Sequence, residues 1–251
     1  LSARAYIAGL IWAVAASAAA AQPLRVLTNP TLPPFEYKEA KKNGEELIGF
    51  DIDVGQEIGR LLKRPIQWVE VDFADIPAKL LAGEGDIAIS AIRLGRERDA
   101  SLTYVTYAVM EQVYLGPKAR PIVKLEDLKG MNVGVLTADR ARTELDVARK
   151  AHGIKRVRGF ETERALLTGL SEAIIDVGVL DESRAVAAMR DSKGAWIISG
   201  HGLHREPIAL AVAPTQKQLI GDLERAVKAM RAKFLPQLYD GWFGRKFPAT
   251  L

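Results

Sequence analysis

Three arginines lie close together at Arg93, Arg96 and Arg98, just beyond the small pair Ser90–Ala91. A guanidinium is a planar fork that can hold a carboxylate through two parallel hydrogen bonds, so this loop suits a carboxylate-bearing ligand. A second chemical pair, Asp181 and Glu182, closes the run AIIDVGVLDE. Either acid could act as a general acid if burial raised its pKa. HGLHRE at 201–206 holds the one metal-like group, His201, His204 and Glu206. The i,i+3 histidine spacing needs a helix, whereas Gly200 and Gly202 argue for a loop, so a hinge or surface role is expected and no metal. Asp51 and Asp53 read as one loop charge and one helix-start charge. No G-x-G-x-x-G follows a strand, and the phosphate-loop, H-E-x-x-H and G-x-S-x-G patterns are absent.

The elements that position these residues follow from periodicity. Ile76, Leu80 and Leu81 set against Lys79 and Glu84 predict an amphipathic helix, a Gly83–Gly85 turn follows, and Ile87–Ile89 is a short buried strand that delivers the basic loop. Its end is the carboxyl edge of a sheet, where open α/β folds bind ligands. Upstream, Leu24–Thr28 is a strand, and NPTLPPFEY is a rigid loop because Pro30, Pro33 and Pro34 forbid a helix. KEAKK at 38–42 reads as a solvated loop, residues 53–62 as a helix, and PIQWVEV as a strand. Downstream the same grammar recurs. AVMEQVYLG and MNVGVL are strands, 139–151 a helix, VRGF a strand opening, Glu161–Leu170 a helix, 173–181 a strand and Ser183–Met189 a helix. LLAGEGDIAIS in the first half is echoed by LLTGLSEAIIDVGVLD in the second, which predicts two similar lobes with a cleft between them. Ile208–Val212 returns as a strand, and a C-terminal helix carries Leu219, Leu223, Val227, Met230 and Phe234 at helical spacing.

Composition narrows the classes. Apolar residues make up 48% and charged residues 26%, and the +4 net charge is interspersed, so neither disorder nor a nucleic-acid tail is indicated. Zero cysteines exclude disulfides, thiolate metal sites and cysteine nucleophiles. Arg4, the apolar run Tyr6–Ala16 and the alanine tract to Ala21 have the layout of a secretory signal peptide, with cleavage expected before Gln22. With no cysteine there, a freely diffusing, secreted mature protein without a lipid anchor is expected.

Taken together, the "GD" strand, its small-residue pair, the "ER" of Glu97–Arg98, PPFEY at 33–37, Gly49-Phe50-Asp51-Ile52-Asp53 and the closing GWFG resemble the extracytoplasmic solute-binding proteins of polar amino-acid ABC importers, family 3. The likeness covers nearly all of 24–246. It implies an α/β, two-lobed, type II periplasmic-binding-protein-like fold. Each lobe would be a mainly parallel sheet flanked by helices, with two crossover strands. After a signal peptide at 1–21, lobe one would be 22–109 plus 208–251 and lobe two 110–207. The resemblance further implies a monomeric receptor that binds a small solute without any cofactor, does no chemistry and no nucleic-acid binding, and hands its cargo to a membrane ABC permease. A dehydratase of the prephenate or arogenate type on the same fold, or a sensory or accessory binding protein, is the alternative.

A zwitterionic amino acid needs a cation, an anion and flat apolar walls. By resemblance Arg98 takes the α-carboxylate and Asp181 the α-ammonium. The donors at a helix start match Ala138, Asp139 and Arg140, the walls match Leu32 and Phe73, and Phe35 is a structural member of the rim. Ser90, Ala91 and Asn29 complete the expected ligand-binding set. Arg93 stands where a typical member has Ser or Thr, Arg140 where it has Thr, and Leu32 where it has an aromatic. One wall is thus lost and up to two cations gained, so an acidic amino acid or dicarboxylate is expected rather than a basic one. Alternatively Arg93 and Arg140 point to solvent or pair with Asp139 and Glu97, leaving a roomier apolar pocket.

Overall fold

The computed structural model describes residues 21–42, 44–95 and 99–248, with side chains throughout except at 201 and 202. The leader apart from Ala21, the cations Arg96 and Arg98 with Glu97 between them, and the His201 side chain lie outside the described residues.

In chain order the first elements are β1 (Leu24–Thr28), β2 (Thr31–Leu32), β3 (Glu36–Lys41), β4 (Gly44–Ile48), α1 (Phe50–Leu62), β5 (Ile66–Glu70), α2 (Ile76–Leu81) and β6 (Ile87–Arg93). Then come β7 (Thr103–Pro117), β8 (Asn132–Leu136), α3 (Arg140–Ala151), β9 (Arg156–Phe160), α4 (Glu163–Ser171) and β10 (Val177–Asp181). The chain ends with α5 (Glu182–Asp191), β11 (Trp196–Val212), α6 (Lys217–Arg231) and α7 (Phe234–Phe243).

Eight strands form one curled sheet in the order β5-β1-β6-β11-β7-β10-β8-β9. β1 runs parallel to β5 and β6, and β8 parallel to β9 and β10. β11 and β7 pair antiparallel along most of their 17 and 15 residues and serve both halves. The two halves therefore read β5-β1-β6-β11-β7 and β9-β8-β10-β7-β11, the same order twice. The echo in the sequence has a physical cause. Asp86, just before β6, accepts from the Arg25 backbone N–H at 2.9 Å, and Asp176, just before β10, accepts from the Asn132 backbone N–H at 2.7 Å. In each half this aspartate ties the third parallel strand to the first.

Each half has its own core. The first half gathers Val26, Phe50, Ile58, Ile89 and Leu210 with Leu223 and Val227 of α6 in one cluster, and Leu27, Ile76, Leu80 and Ala88 in another. The second half is divided likewise, with Val133, Leu145 and Val179 in one cluster and Leu166, Leu170 and Leu180 in the other. Burial of each such aliphatic side chain stabilises by about 1.5–3 kcal/mol. Helix starts are set locally, since the side chains of Asp139 and Thr162 accept from Ala141 and Ala165 backbone N–H groups.

Several expectations need correction. NPTLPPFEY keeps its turn, at 33–35, but β2 and the start of β3 flank it, and KEAKK is not a loop because 38–41 lie on β3 of the three-stranded antiparallel sheet β2–β3–β4. Its outer residues are solvated on both faces, so no apolar alternation marks them. The Ile87–Ile89 strand extends to Arg93, which places that arginine on a strand end. The C-terminal helix is two helices broken at Ala232–Lys233, with Pro236 in the first turn of α7, where its missing N–H costs little. Leu81 ends α2 and is 52% exposed, so only Ile76 and Leu80 carry that helix's core face. Phe35 is fully enclosed, 5.8 Å from Phe50 and 5.1 Å from Phe243. Among the described residues no helix is long and apolar enough to cross a membrane.

Candidate functional site

Residues 87–92 of β6 are all buried, so Arg93 is the first side chain of that strand to reach the sheet edge. There its Nη1 donates to Asp181 Oδ2 at 3.0 Å. Asp181 is the last residue of β10, and its side chain makes no capping bond to α5. The pair thus joins the carboxyl ends of the third parallel strands of the two halves. It is well shielded, at 18% and 11% side-chain exposure. Glu206 of β11 lies beside it, Oε2 3.9 Å from Arg93 Nε.

Beneath this edge is a buried acid network. Ala91 adopts φ 44°, in the left-handed region, which turns its backbone N–H to Asp51 Oδ2 at 2.7 Å. For a residue with a Cβ that conformation is costly and must be held by its surroundings. Tyr107 Oη donates to Asp51 Oδ1 at 2.5 Å. Burial pushes the Asp51 carboxyl up to about 6, against the pull of hydrogen bonds from Tyr107, Ala91 and Glu36. Burial likewise raises the Tyr107 phenol, with the Asp51 charge adding to it. Ser90 Oγ accepts from the Asn29 backbone N–H at 3.0 Å and donates to Glu36 Oε1 at 3.1 Å. The Asn29 amide in turn donates to the Val71 carbonyl at 3.0 Å. Ser90, Ala91 and Asn29 therefore brace the ends of β1 and β6 from inside. Leu32 is half-buried against the Val26–Phe50 cluster, and Phe73 half-buried against the Leu27–Ile76 cluster.

On the other half, Asp139 caps α3 and Oδ1 also accepts from Gln112 Nε2 of β7 at 2.7 Å. Arg140 is turned along the helix, Nε 2.7 Å from Glu144 Oε1 and 62% exposed. Glu182, the next residue after Asp181, is nearly enclosed. It receives a hydrogen bond from Tyr239 Oη and an ion pair from Arg245 at 3.2 Å. Burial, with the Glu182 charge, drives the Tyr239 phenol far above its ordinary range. The His204 ring sits 3.2 Å from Glu144, and among the described residues no three His, Cys, Asp or Glu side chains gather as a metal site.

Sequence reasoning missed Gln112 and did not weigh Glu206 as a neighbour of Arg93. The polar pair Glu111–Gln112 inside the apolar run AVMEQVYLG was the available signal, because a strand buried on both faces carries polar residues only where they have partners.

The model of bacterial extracellular solute-binding proteins, family 3, matches residues 24–245. The chain belongs to this family. It is 27% identical over 244 residues to the L-arginine-binding protein of Pseudomonas aeruginosa, covering 90% of this chain and 89% of that one. It is 28% identical over 182 residues to the lysine/arginine/ornithine-binding periplasmic protein of Escherichia coli (strain K12), covering 71% and 68%. Among solved structures, an ancestral arginine-binding protein bound to arginine aligns with TM-score 0.57 and 28% identity over 90% of this chain and all of that one. An ancestral cationic amino-acid solute-binding protein aligns with TM-score 0.68 and 26% identity over 88% and 95%. This family 3 chain shares their two-lobed α/β fold.

Proposed function

We propose that the protein is a periplasmic receptor that captures a small amino-acid-like or carboxylate solute between its lobes and presents it to an ABC permease. The observation that carries this reading is the Arg93–Asp181 pair, which brings the carboxyl ends of equivalent strands from the two halves to one place. The lobes divide at 22–109 plus 208–251 and 110–207, with β7 and β11 as the crossovers, and solute contacts with both shift the balance between open and closed forms. The monomeric state and the leader cleaved before Gln22 belong to the same reading.

In this reading Arg98 receives the solute carboxylate, and Leu32 and Phe73 contribute apolar contact. The case for an acidic side chain is narrower than the sequence suggested. Arg140 is occupied by Glu144 at the surface, so the added cation at the cleft is Arg93. The relatives named for arginine, lysine and ornithine supply the rival ligand class, a cationic side chain. The dehydratase alternative loses its donors, because Asp181 is engaged by Arg93 and Glu182 by Tyr239 and Arg245.

The test is a thermal-shift screen of ligand-stripped protein against amino acids and small organic acids, with prephenate and arogenate incubated separately. Stabilisation by a carboxylate solute without turnover is expected. Aromatic product, or no shift across the whole panel, would overturn the reading.

A further inference from the structure

Resting on that receptor reading, we infer that solute capture is coupled to proton uptake by an acid pair buried behind the sheet edge, Asp51 with Glu36. A solute carboxylate arriving at the ends of β6 and β10 draws a proton from the solvent onto Asp51, and release of that proton weakens capture.

The geometry starts with two acids in contact. The Asp51 carboxyl is fully enclosed, Glu36 is 2% exposed, and a hydrogen bond joins their side chains. A carboxylate can only accept, so a hydrogen bond between two carboxyl groups needs a proton on one of them. Among the described residues Asp51 has no cation partner. Tyr107 Oη of β7 meets it at 2.5 Å, the Ala91 N–H of β6 at 2.7 Å, and Glu36 of β3 completes its contacts. The charged and titratable groups on the other elements packed around α1 are turned elsewhere. Arg231 of α6 donates to the Thr106 carbonyl at 2.9 Å, Tyr239 of α7 to Glu182, and Arg93 of β6 to Asp181. Glu45 of β4 and Glu70 of β5 lie by Lys38. Burial favours the neutral carboxyl and lifts its pKa to about 6, so this proton exchanges within the ordinary working range of pH.

Ala91 ties this pair to the cleft. Its left-handed backbone, φ 44°, aims its N–H at Asp51, and two residues further on Arg93 reaches the sheet edge. Two residues of strand span about 7 Å, which puts Asp51 about 10 Å behind that edge. Residues 87–92 in between are buried, so water screens little of the interaction. At about 10 Å and an effective dielectric constant of about 20, one negative charge at the edge strengthens proton binding at Asp51 about tenfold. Linkage is reciprocal, so protein with protonated Asp51 binds the carboxylate more tightly by the same factor. Affinity is therefore highest at low pH and falls as the pH rises through and beyond about 6.

The experiment is calorimetry on ligand-stripped protein with glutamate, 2-oxoglutarate, leucine and arginine, carrying the tightest binder forward. Its binding heat is then compared in MES and imidazole buffers, whose ionisation enthalpies differ, which counts the protons exchanged. Wild type should take up about half a proton at about pH 6.5, and its affinity should fall about five- to tenfold between about pH 5.5 and 8. Asp51→Asn should still bind but lose both effects. Tyr107→Phe removes a bond that favours ionised Asp51, so its affinity profile should move to higher pH. Thermal melts establish folding, and the Tyr107→Phe profile decides should Asp51→Asn fail to fold. No proton uptake by wild type, or uptake that Asp51→Asn leaves unchanged, would overturn the inference while leaving the receptor reading in place. Binding of none of the four solutes would contradict the receptor reading and the inference with it.

Discussion

Raising the pH from about 4 to about 7 should weaken the fold through one residue, Asp51, and Asp51→Asn should remove that component. The side chain is fully enclosed, and burial lifts its pKa from 3.8 to about 6 despite the hydrogen bonds from Tyr107, Ala91 and Glu36. The folded state thus holds a proton that the unfolded chain has released across this window. The stabilisation is complete below 3.8 and is lost as the pH rises through about 6. At 1.36 kcal/mol per pH unit, the gap corresponds to about 3 kcal/mol. Asp86 works in the opposite direction. Burial pushes its pKa up, but bonds from Arg25 outweigh that and hold it low, so its contribution is lost as the pH falls. The useful quantity is therefore the difference between wild type and Asp51→Asn in urea unfolding at each pH. That difference should change by up to about 3 kcal/mol between pH 4 and 7, with Asp51→Asn the flatter curve. Parallel curves would refute the assignment of a raised Asp51 pKa.

Tyr239→Phe removes the hydroxyl that serves the enclosed Glu182 carboxylate and should cost about 1.5–3 kcal/mol in urea unfolding. No change would mean that Arg245 alone satisfies Glu182. Gly49→Ala should prevent folding or cost more than about 4 kcal/mol, since φ is 139° and a Cβ would fall 2.1 Å from the Phe35 carbonyl oxygen; a normal melt would contradict that close approach. Arg140→Ala should change stability by no more than about 0.5 kcal/mol and leave solute affinity unaltered, because that guanidinium is 62% exposed and paired with Glu144 one turn along its own helix. A tenfold affinity loss would put that guanidinium in the cleft instead.

The parallel strands and their helices were legible because each carries a continuous apolar run or a helical stripe. The repeated aspartate before β6 and β10 made the two-fold organisation visible before any coordinates. The β2–β3–β4 sheet was not legible, since its strands are solvated and carry charges at successive positions. Site chemistry was harder still. Residue type marked Arg93 and Asp181 as candidates, but only three-dimensional placement pairs residues separated by 88 positions. Arg140 and Arg93 looked equivalent as added cations, yet one lies on a helix surface beside an acid a turn away and the other on a strand end facing the second half. Glu182 follows Asp181 directly, but entry into α5 turns it toward Tyr239 and Arg245 rather than the cleft. Adjacent residues at a strand-to-helix junction point in different directions, and no periodicity reports which.

The central claim is that a carboxylate solute is held between the lobes by Arg98. Calorimetry of the best-binding solute from the screen, with wild-type and Arg98→Ala protein side by side, tests it most directly. The account predicts saturable one-to-one binding to wild type and a loss of about 2–5 kcal/mol in the variant, the scale for truncating one side of a hydrogen-bonded charge pair that the bound solute would close off from water. Equal affinity for the two proteins would contradict it.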